Sequence, residues 1–396
     1  MVVAVDPAWG AQPSSRSVRL GLEVLITDSL HLTRGRRVGL VANHAAVDRQ
    51  GVHAVERLRD AGVTLVALMS PEHGFRGLAE PGETVASSVD SATGLPIYSL
   101  YGKTLAPPPE LLATLDLILV DLPDVGARYF TYLSTTMEVM KAAAALAKPV
   151  VVLDRPNPIG GKVQGAPLDP AFRTFVGRLA VPMRHGLTLG EQARLANADF
   201  GIGASLTVIP AAGWRRVDDA YATGLSFIPP SPNLKDLESL FHYPGTCLFE
   251  GTALSVGRGT DAPFRQVGSP WLDTARVLAI VRRARLPGVA FEGRPFRPMS
   301  PGDGKFPAVE VRGIRLRLED RVSYDPIRTA LVLLAAIYRV HGDRIGFIPA
   351  HFDRLAGSSR LRRDLLARRS PDRIIAGWER SKRDYLVRRQ RFLLYD

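Results

Sequence analysis

Short, unbroken apolar runs recur through the first half of the chain, and amphipathic stretches separate them. The runs at 38–42 (VGLVA), 63–70 (VTLVALMS), 95–100, 116–121 (DLILVD), 149–153 (PVVVL) and 205–209 read as buried strands. Between them, 52–61 sets Val55, Leu58 and Ala61 on one helical face. The helix predicted over 109–115 opens on a proline, whose missing N–H costs little there. Further helices are predicted over 131–147 and 188–198. Strands apolar on both faces that alternate with helices predict a mainly parallel α/β sheet covered on both sides.

The texture changes after 229–233 (PPSPN). Residues 243–259 carry Gly and Thr with little periodicity. A helix is predicted over 273–284, strands near 289–291 and 308–318, a helix over 326–341 and then a basic helical tail. This divides the chain into 17–240 and a smaller α+β domain, 241–396. No apolar run reaches membrane-spanning length. The N-terminus lacks a basic segment leading into an apolar core, so a cytoplasmic protein is the expectation, or a secreted or periplasmic one if a leader has been trimmed.

Charge adds one function class to test. The 396 residues carry a formal charge of +12, which brings nucleic acid into consideration. More than half of the excess lies from Arg360 onward, where Leu361, Leu365, Ile374, Trp378 and Tyr385 recur at roughly helical spacing. That pattern reads as a basic amphipathic surface helix. No helix-turn-helix, zinc-finger or aromatic-interleaved basic motif accompanies it, so nucleic acid is not the expected partner. The single cysteine, Cys247, excludes an intramolecular disulfide and a thiolate metal cage.

Ligands of open α/β sheets bind beyond the carboxyl ends of the strands. The predicted exits carry Asn43 and His44, then Glu72 and His73, then Asp121, Asp124 and Arg128, then Asp154, Arg155 and Asn157. Arg184 and His185 precede the 188–198 helix. Five polar exits at one rim define a candidate site. Asp121 and Asp154 also suit helix caps or turns, and His73 and His185 also suit structural roles. Glu72, in a turn between Pro71 and Gly74, is the strongest functional candidate. No HxH, HExxH or DxD spacing predicts a metal site. The absence of GxGxxG and GxxxxGK[ST] argues against nicotinamide cofactors and nucleoside triphosphates, and no GxSxG nucleophile elbow is present. Hydrolysis by carboxyl groups remains.

These stretches resemble the NamZ-type exo-β-N-acetylmuramidases. The resemblance rests on SPEHGFRG (70–77), TGLPIYSLYG (93–102), DLPDVGARYFTYLSTTMEVM (121–140), VLDRPNPIGG (152–161), VPMRHGLTLGE (181–191), PSPNL (230–234) and YPGTCLFEGTALSVGRGT (243–260). It extends from about Gly21 to the closing FLLYD. Three departures stand out: Pro123 replaces a usual Gln, Ala253 a usual Asn, and VEVRGIRLRLED (309–320) a strand that often holds Cys-Gly and His.

The resemblance implies a Rossmann-like N-terminal domain, a smaller C-terminal domain and an active site in the cleft between them. The implied activity is release of N-acetylmuramic acid from the non-reducing end of peptidoglycan fragments, as in cell-wall turnover, with no cofactor or metal. A proton donor and a second stabilising group are then required. Glu72 is the expected acid and Glu250 the expected second group, with Asp124 or Asp154 as substitutes. Alternatively, the sugar's own acetamido carbonyl serves as nucleophile. The lactyl carboxylate calls for a fixed arginine. Arg128, Arg155, Arg184 and Arg258 are candidates, with Arg128 and Arg258 favoured because glycines lie close to both. Tyr101, Tyr129 and Tyr132 offer stacking faces, and Asn43, His73, Asn157 and His185 complete the expected binding set. The competing reading is a non-catalytic muropeptide- or sugar-binding protein with the same cleft.

Overall fold

The computed structural model describes residues 17–77, 79, 83 and 86–396. Strands β1 (Val38–Ala42), β2 (Leu65–Ser70), β3 (Ser88–Val89), β4 (Pro96–Ser99), β5 (Leu117–Asp121), β6 (Val150–Leu153) and β9 (Leu206–Ile209) form one sheet. Strands β7 (Gln164–Pro167) and β8 (Pro182–Arg184) pair apart from it as a small antiparallel ladder. The main order is β3-β4-β2-β1-β5-β6-β9, with every neighbour parallel except β3 and β4. Taken in chain order, the parallel strands run third, second, first, fourth, fifth, sixth. This is the doubly wound arrangement, and its order reverses between β1 and β5.

Alternation along each strand feeds two cores. Leu40, Leu119 and Val151 face α1 (Gly21–Asp28) and α2 (Ala54–Asp60). Val41, Val120 and Val152 face the side of α3 (Pro109–Thr114), α4 (Tyr132–Ala145) and α5 (Leu189–Asp199). Because both faces are covered, the strands read as continuous apolar runs.

After the single turn α6 (Ala220–Thr223), the chain enters α7 (Leu237–Thr246). The aperiodic-looking stretch from residue 243 therefore begins inside a helix. Asp236 caps α7 by accepting from the Ser239 N–H at 2.7 Å. Pro244 and Gly245 sit in its last turns, and a Cβ on Gly245 would lie 2.0 Å from the Pro326 carbonyl oxygen. Glycine thus permits the close crossing of α7 with α9 (Pro326–His341). A three-stranded antiparallel sheet, β10 (Gln266–Ser269), β12 (Arg312–Leu318) and β11 (Val289–Gly293), packs beside α8 (Thr274–Arg283). Core residues of α4, α5, α7 and α9 belong to one continuous apolar cluster that joins the two halves.

The tail forms α10 (Pro349–Ala356), α11 (Arg360–Leu366), α12 (Pro371–Ala376) and α13 (Glu379–Arg389). It is a strap rather than a free basic helix. The Tyr385 hydroxyl donates to the His185 carbonyl (2.6 Å), and Arg388 donates to the Ala180 carbonyl (2.7 Å). Tyr395 stacks edge-on against Trp214 with ring centroids 4.8 Å apart. Among the described residues, no helix is long and apolar enough to cross a membrane.

Candidate active site

Strand β2 ends at Ser70, and Pro71 prevents its ladder from continuing. The chain then turns sharply. His73 has φ +71°, Gly74 +75° and Gly77 +70°. A non-glycine residue in that region is uncommon and is held there by its surroundings. His73 is pinned by a 2.7 Å contact of its Nδ1 with the Ala79 carbonyl oxygen. Gly77 lies against the His44 ring, which its missing Cβ would otherwise overlap at 1.9 Å. The His44 ring is fixed in turn by a 2.7 Å contact between Nε2 and the Pro229 carbonyl.

This turn delivers Glu72 to the floor of a cleft with only 7% of its surface exposed. Thr131, at the N-terminus of α4, donates its hydroxyl to Glu72 Oε2 at 2.5 Å. Tyr101, just beyond β4, is hydrogen-bonded to Glu72; burial, then the Glu72 charge, pushes its hydroxyl well above the usual tyrosine range. Tyr132 stands behind. It donates to the Pro230 carbonyl (2.8 Å) and accepts from Asn43 Nδ2 (2.8 Å). Three exits of the parallel sheet, after β2, β4 and β5, thus converge on one carboxyl group.

The C-terminal half supplies the opposite wall of this cavity of about 470 Å³. Arg258 Nε donates to Glu250 Oε1 at 2.6 Å, and the Cys247 thiol lies 3.5 Å from Oε2. Burial alone would raise the Glu250 carboxyl, but the Arg258 charge and hydrogen bond and the Lys305 charge outweigh it and leave it below the usual range. Burial likewise opposes the charge on Arg258, and Glu250 more than restores it. Lys305 Nζ donates to the Glu250 and Leu254 carbonyls. Asp303, His351 and Arg354 complete this side.

A two-domain family model covers nearly all of this chain. The N-terminal domain model of exo-β-N-acetylmuramidase NamZ matches residues 38–238, and the C-terminal one matches 241–395. The chain belongs to the NamZ family. Its likeness to "Peptidoglycan beta-N-acetylmuramidase NamZ" of Bacillus subtilis (strain 168) is 36% identity over 405 residues, spanning 100% of this chain and 97% of that protein. Two solved DUF1343 family proteins of Bacteroides fragilis NCTC 9343 superpose with TM-scores of 0.88 and 0.77, at 32% and 30% identity. Each match covers 96% of this chain and 99% of the other. As a NamZ-family member, the chain is a glycoside hydrolase.

Against the family's expected site, the cleft brings together Glu72, His73, Tyr101, Tyr129, Glu250 and Arg258. Tyr129 lines it with its ring, while its hydroxyl donates to the Pro244 carbonyl at 2.9 Å.

The other expected residues do not line this cleft. Asp154 is fully buried, accepting from the Thr188 hydroxyl (2.6 Å), the Gly190 N–H (2.8 Å) and the Tyr395 hydroxyl (2.7 Å). It ties the tail to the sheet and does not line the cleft. Asp124 accepts from the Gly126 N–H and Gln192 Nε2, with His185 Nε2 3.5 Å away. It borders a separate small cavity near the β1/β5 reversal, as does Arg155. Arg155 grips Asp121 with two hydrogen bonds of 2.5 and 2.9 Å.

Arg128, favoured for the lactyl group, instead spends its guanidinium on the carbonyls of Ala166, Val181 and Leu355. Arg184 bonds Gln164 and the Ile159 carbonyl. It belongs to the small β7–β8 ladder rather than to an exit of the main sheet. His185 accepts the Leu187 N–H on Nδ1. Asn157 bridges the Leu187 carbonyl and the Ile159 N–H. Asn43 holds Tyr132, one layer behind the cleft. Buried polar groups are generally paired, and the bonds of these residues go to protein groups, although Arg128 Nε, Arg184 Nε and His185 Nε2 have no hydrogen-bond partner among the described residues.

The cleft also holds Thr131, Asp303, His351 and Arg354, which the sequence pattern does not mark as site residues. Thr131 carries one readable signal, a hydroxyl residue directly before a helical apolar pattern. Asp303 lies in PGDGK, which reads only as a turn.

Proposed function

We propose that Glu72 is the general acid of an exo-β-N-acetylmuramidase that releases N-acetylmuramic acid from the non-reducing end of peptidoglycan fragments. One observation carries this reading. A nearly buried carboxyl group is held by Thr131 and Tyr101 on the floor of a cleft whose opposite wall belongs to the other half of the chain.

Glycoside hydrolysis needs a proton on the leaving oxygen and stabilisation of positive charge at the anomeric carbon. The Thr131 bond fixes the direction of Glu72, which shortens the search for a productive geometry. Arg258 suits the lactyl carboxylate. Its Nε is held by Glu250, and its buried Nη1 has no partner among the described residues. A guanidinium anchored at one edge presents the other as a rigid donor.

The test uses two defined oligosaccharides of equal length, one ending in N-acetylmuramic acid and one in N-acetylglucosamine at the non-reducing end. The first releases a single N-acetylmuramic acid and a shortened chain, and the second is untouched. Internal cleavage of either, or release from neither, contradicts the proposal.

A further inference from the structure

We infer that Asp303 is the second carboxylate of the reaction, receiving the substrate's 2-acetamido N–H; this rests on the muramidase reading above. Among the described residues, three carboxylates line the cleft: Glu72, Glu250 and Asp303. Glu72 is committed to the leaving oxygen. Both oxygens of Glu250 are engaged, one by Arg258 and one by Cys247. Asp303 is different. Its Oδ1 accepts from the Lys305 backbone N–H at 3.2 Å, while its Oδ2 is buried without a partner among the described residues. An orphaned buried acceptor is costly to leave unpaired, so this oxygen is suited to a ligand that brings an N–H or O–H.

The placement selects which one. Residues 299–305 are stitched to the segment that carries Glu250 and Arg258. Met299 donates to the Gly259 carbonyl (3.0 Å), Lys305 Nζ to the Glu250 and Leu254 carbonyls (3.0 and 2.9 Å). A Cβ on Gly259 would lie 2.7 Å from the Pro301 nitrogen. Asp303 is therefore carried beside Arg258. On the sugar, the lactyl ether is at C3, and its neighbour toward the reacting carbon is the acetamido group at C2. With the lactyl carboxylate on Arg258, the C2 N–H falls to Asp303.

The chemistry balances. The acetamido carbonyl oxygen attacks C1 as the C1–O bond to the leaving sugar breaks. That bond's electrons stay on the leaving oxygen, which takes the Glu72 proton. Asp303 stabilises the positive charge growing on the ring nitrogen and takes its proton, which leaves a neutral oxazoline. Water then attacks C1 and gives a proton to Glu72, the C1–oxygen bond of the five-membered ring opens, and Asp303 returns its proton to nitrogen. The net change is addition of one water with retained configuration at C1.

The test crosses enzyme with substrate. Wild type, Asp303→Ala and Asp303→Asn are assayed on a chromogenic β-N-acetylmuramic acid glycoside, on its analogue with a 2-O-acetyl ester replacing the amide, and on its 4-deoxy analogue. In Asp303→Asn, Oδ1 still accepts from Lys305, so this variant covers any folding defect of the alanine variant. Both variants lower kcat/KM on the amide about 100-fold and change the ester rate less than about threefold, because the N–H they would lose is absent from the ester. Losses that multiply across enzyme and ester overturn the inference. Non-additivity with the 4-deoxy substrate instead assigns Asp303 to the C4 hydroxyl and also overturns it. If wild type fails on the amide glycoside, the muramidase reading itself falls.

Discussion

Thr131 gives its hydroxyl to Glu72 Oε2 at 2.5 Å and makes no capping bond to α4, the helix it introduces. A threonine at that position ordinarily spends its side chain on the helix's free N–H groups. Here the helix forgoes that bond and the carboxyl group gains a fixed direction.

Thr131→Val keeps the shape and removes this donor. Since the hydroxyl caps nothing, the melting temperature changes by no more than a few degrees. The kcat on a chromogenic N-acetylmuramic acid glycoside falls about tenfold, the equivalent of about 1.4 kcal/mol. Steady-state kinetics beside a thermal melt checks both halves.

Gly77→Ala strikes the same carboxyl group from behind. The position has φ +70°, and the new Cβ would meet the His44 ring. His44 cannot yield freely, because Pro229 holds it. The turn that presents Glu72 shifts instead. Activity falls at least 100-fold, against a stability loss of about 1–3 kcal/mol, as read from denaturant melts and turnover.

Much of the fold was legible because its strands are buried on both faces. VGLVA, DLILVD and PVVVL need no context to read as strands of a covered parallel sheet. Helix α7 was not legible, since Pro244 and Gly245 break the local pattern and its form depends on packing against α9. For the site, strand exits point to the end of the sheet where the cleft lies and to Glu72, which lines it. They did not reveal which polar side chains turn into the cleft. Asp154, Arg128 and Arg184 have the same chemistry as cleft residues, yet their partners lie far away in sequence, at Tyr395, Leu355 and Gln164. Asp303 and Arg354 reach the cleft only through tertiary packing, which no local periodicity encodes.

Asp124 gives the fold a pH dependence of predictable sign. Burial pushes its carboxyl up to about 7, against the lowering effect of bonds from Gly126 and Gln192. The unfolded chain loses this proton near pH 3.8, whereas the folded chain keeps it to about 7. Its contribution to stability therefore declines as pH rises between those values and is flat above. Asp124→Asn removes this decline, so melting temperatures of variant and wild type, compared at pH 5 and pH 8, diverge in the variant's favour at pH 8.

Tyr395→Phe tests the strap. The hydroxyl donates to Asp154 and accepts the Ala211 N–H at 2.9 Å. Its loss leaves a buried carboxylate short of one bond and a backbone donor unpaired, at a cost of about 2–3 kcal/mol. Denaturant unfolding reads the loss directly, and kcat on the chromogenic glycoside changes less than threefold, since neither group lines the cleft.

The most direct test of proton delivery by Glu72 is a leaving-group comparison. Wild type and Glu72→Gln are assayed on a disaccharide of N-acetylmuramic acid linked to N-acetylglucosamine, and on the 2,4-dinitrophenyl glycoside, whose leaving group departs without a proton. Glu72→Gln loses about 1,000-fold or more on the disaccharide and less than about tenfold in glycosidic bond cleavage of the activated substrate. Equal losses on both, in a variant that melts like wild type, would contradict proton delivery by Glu72.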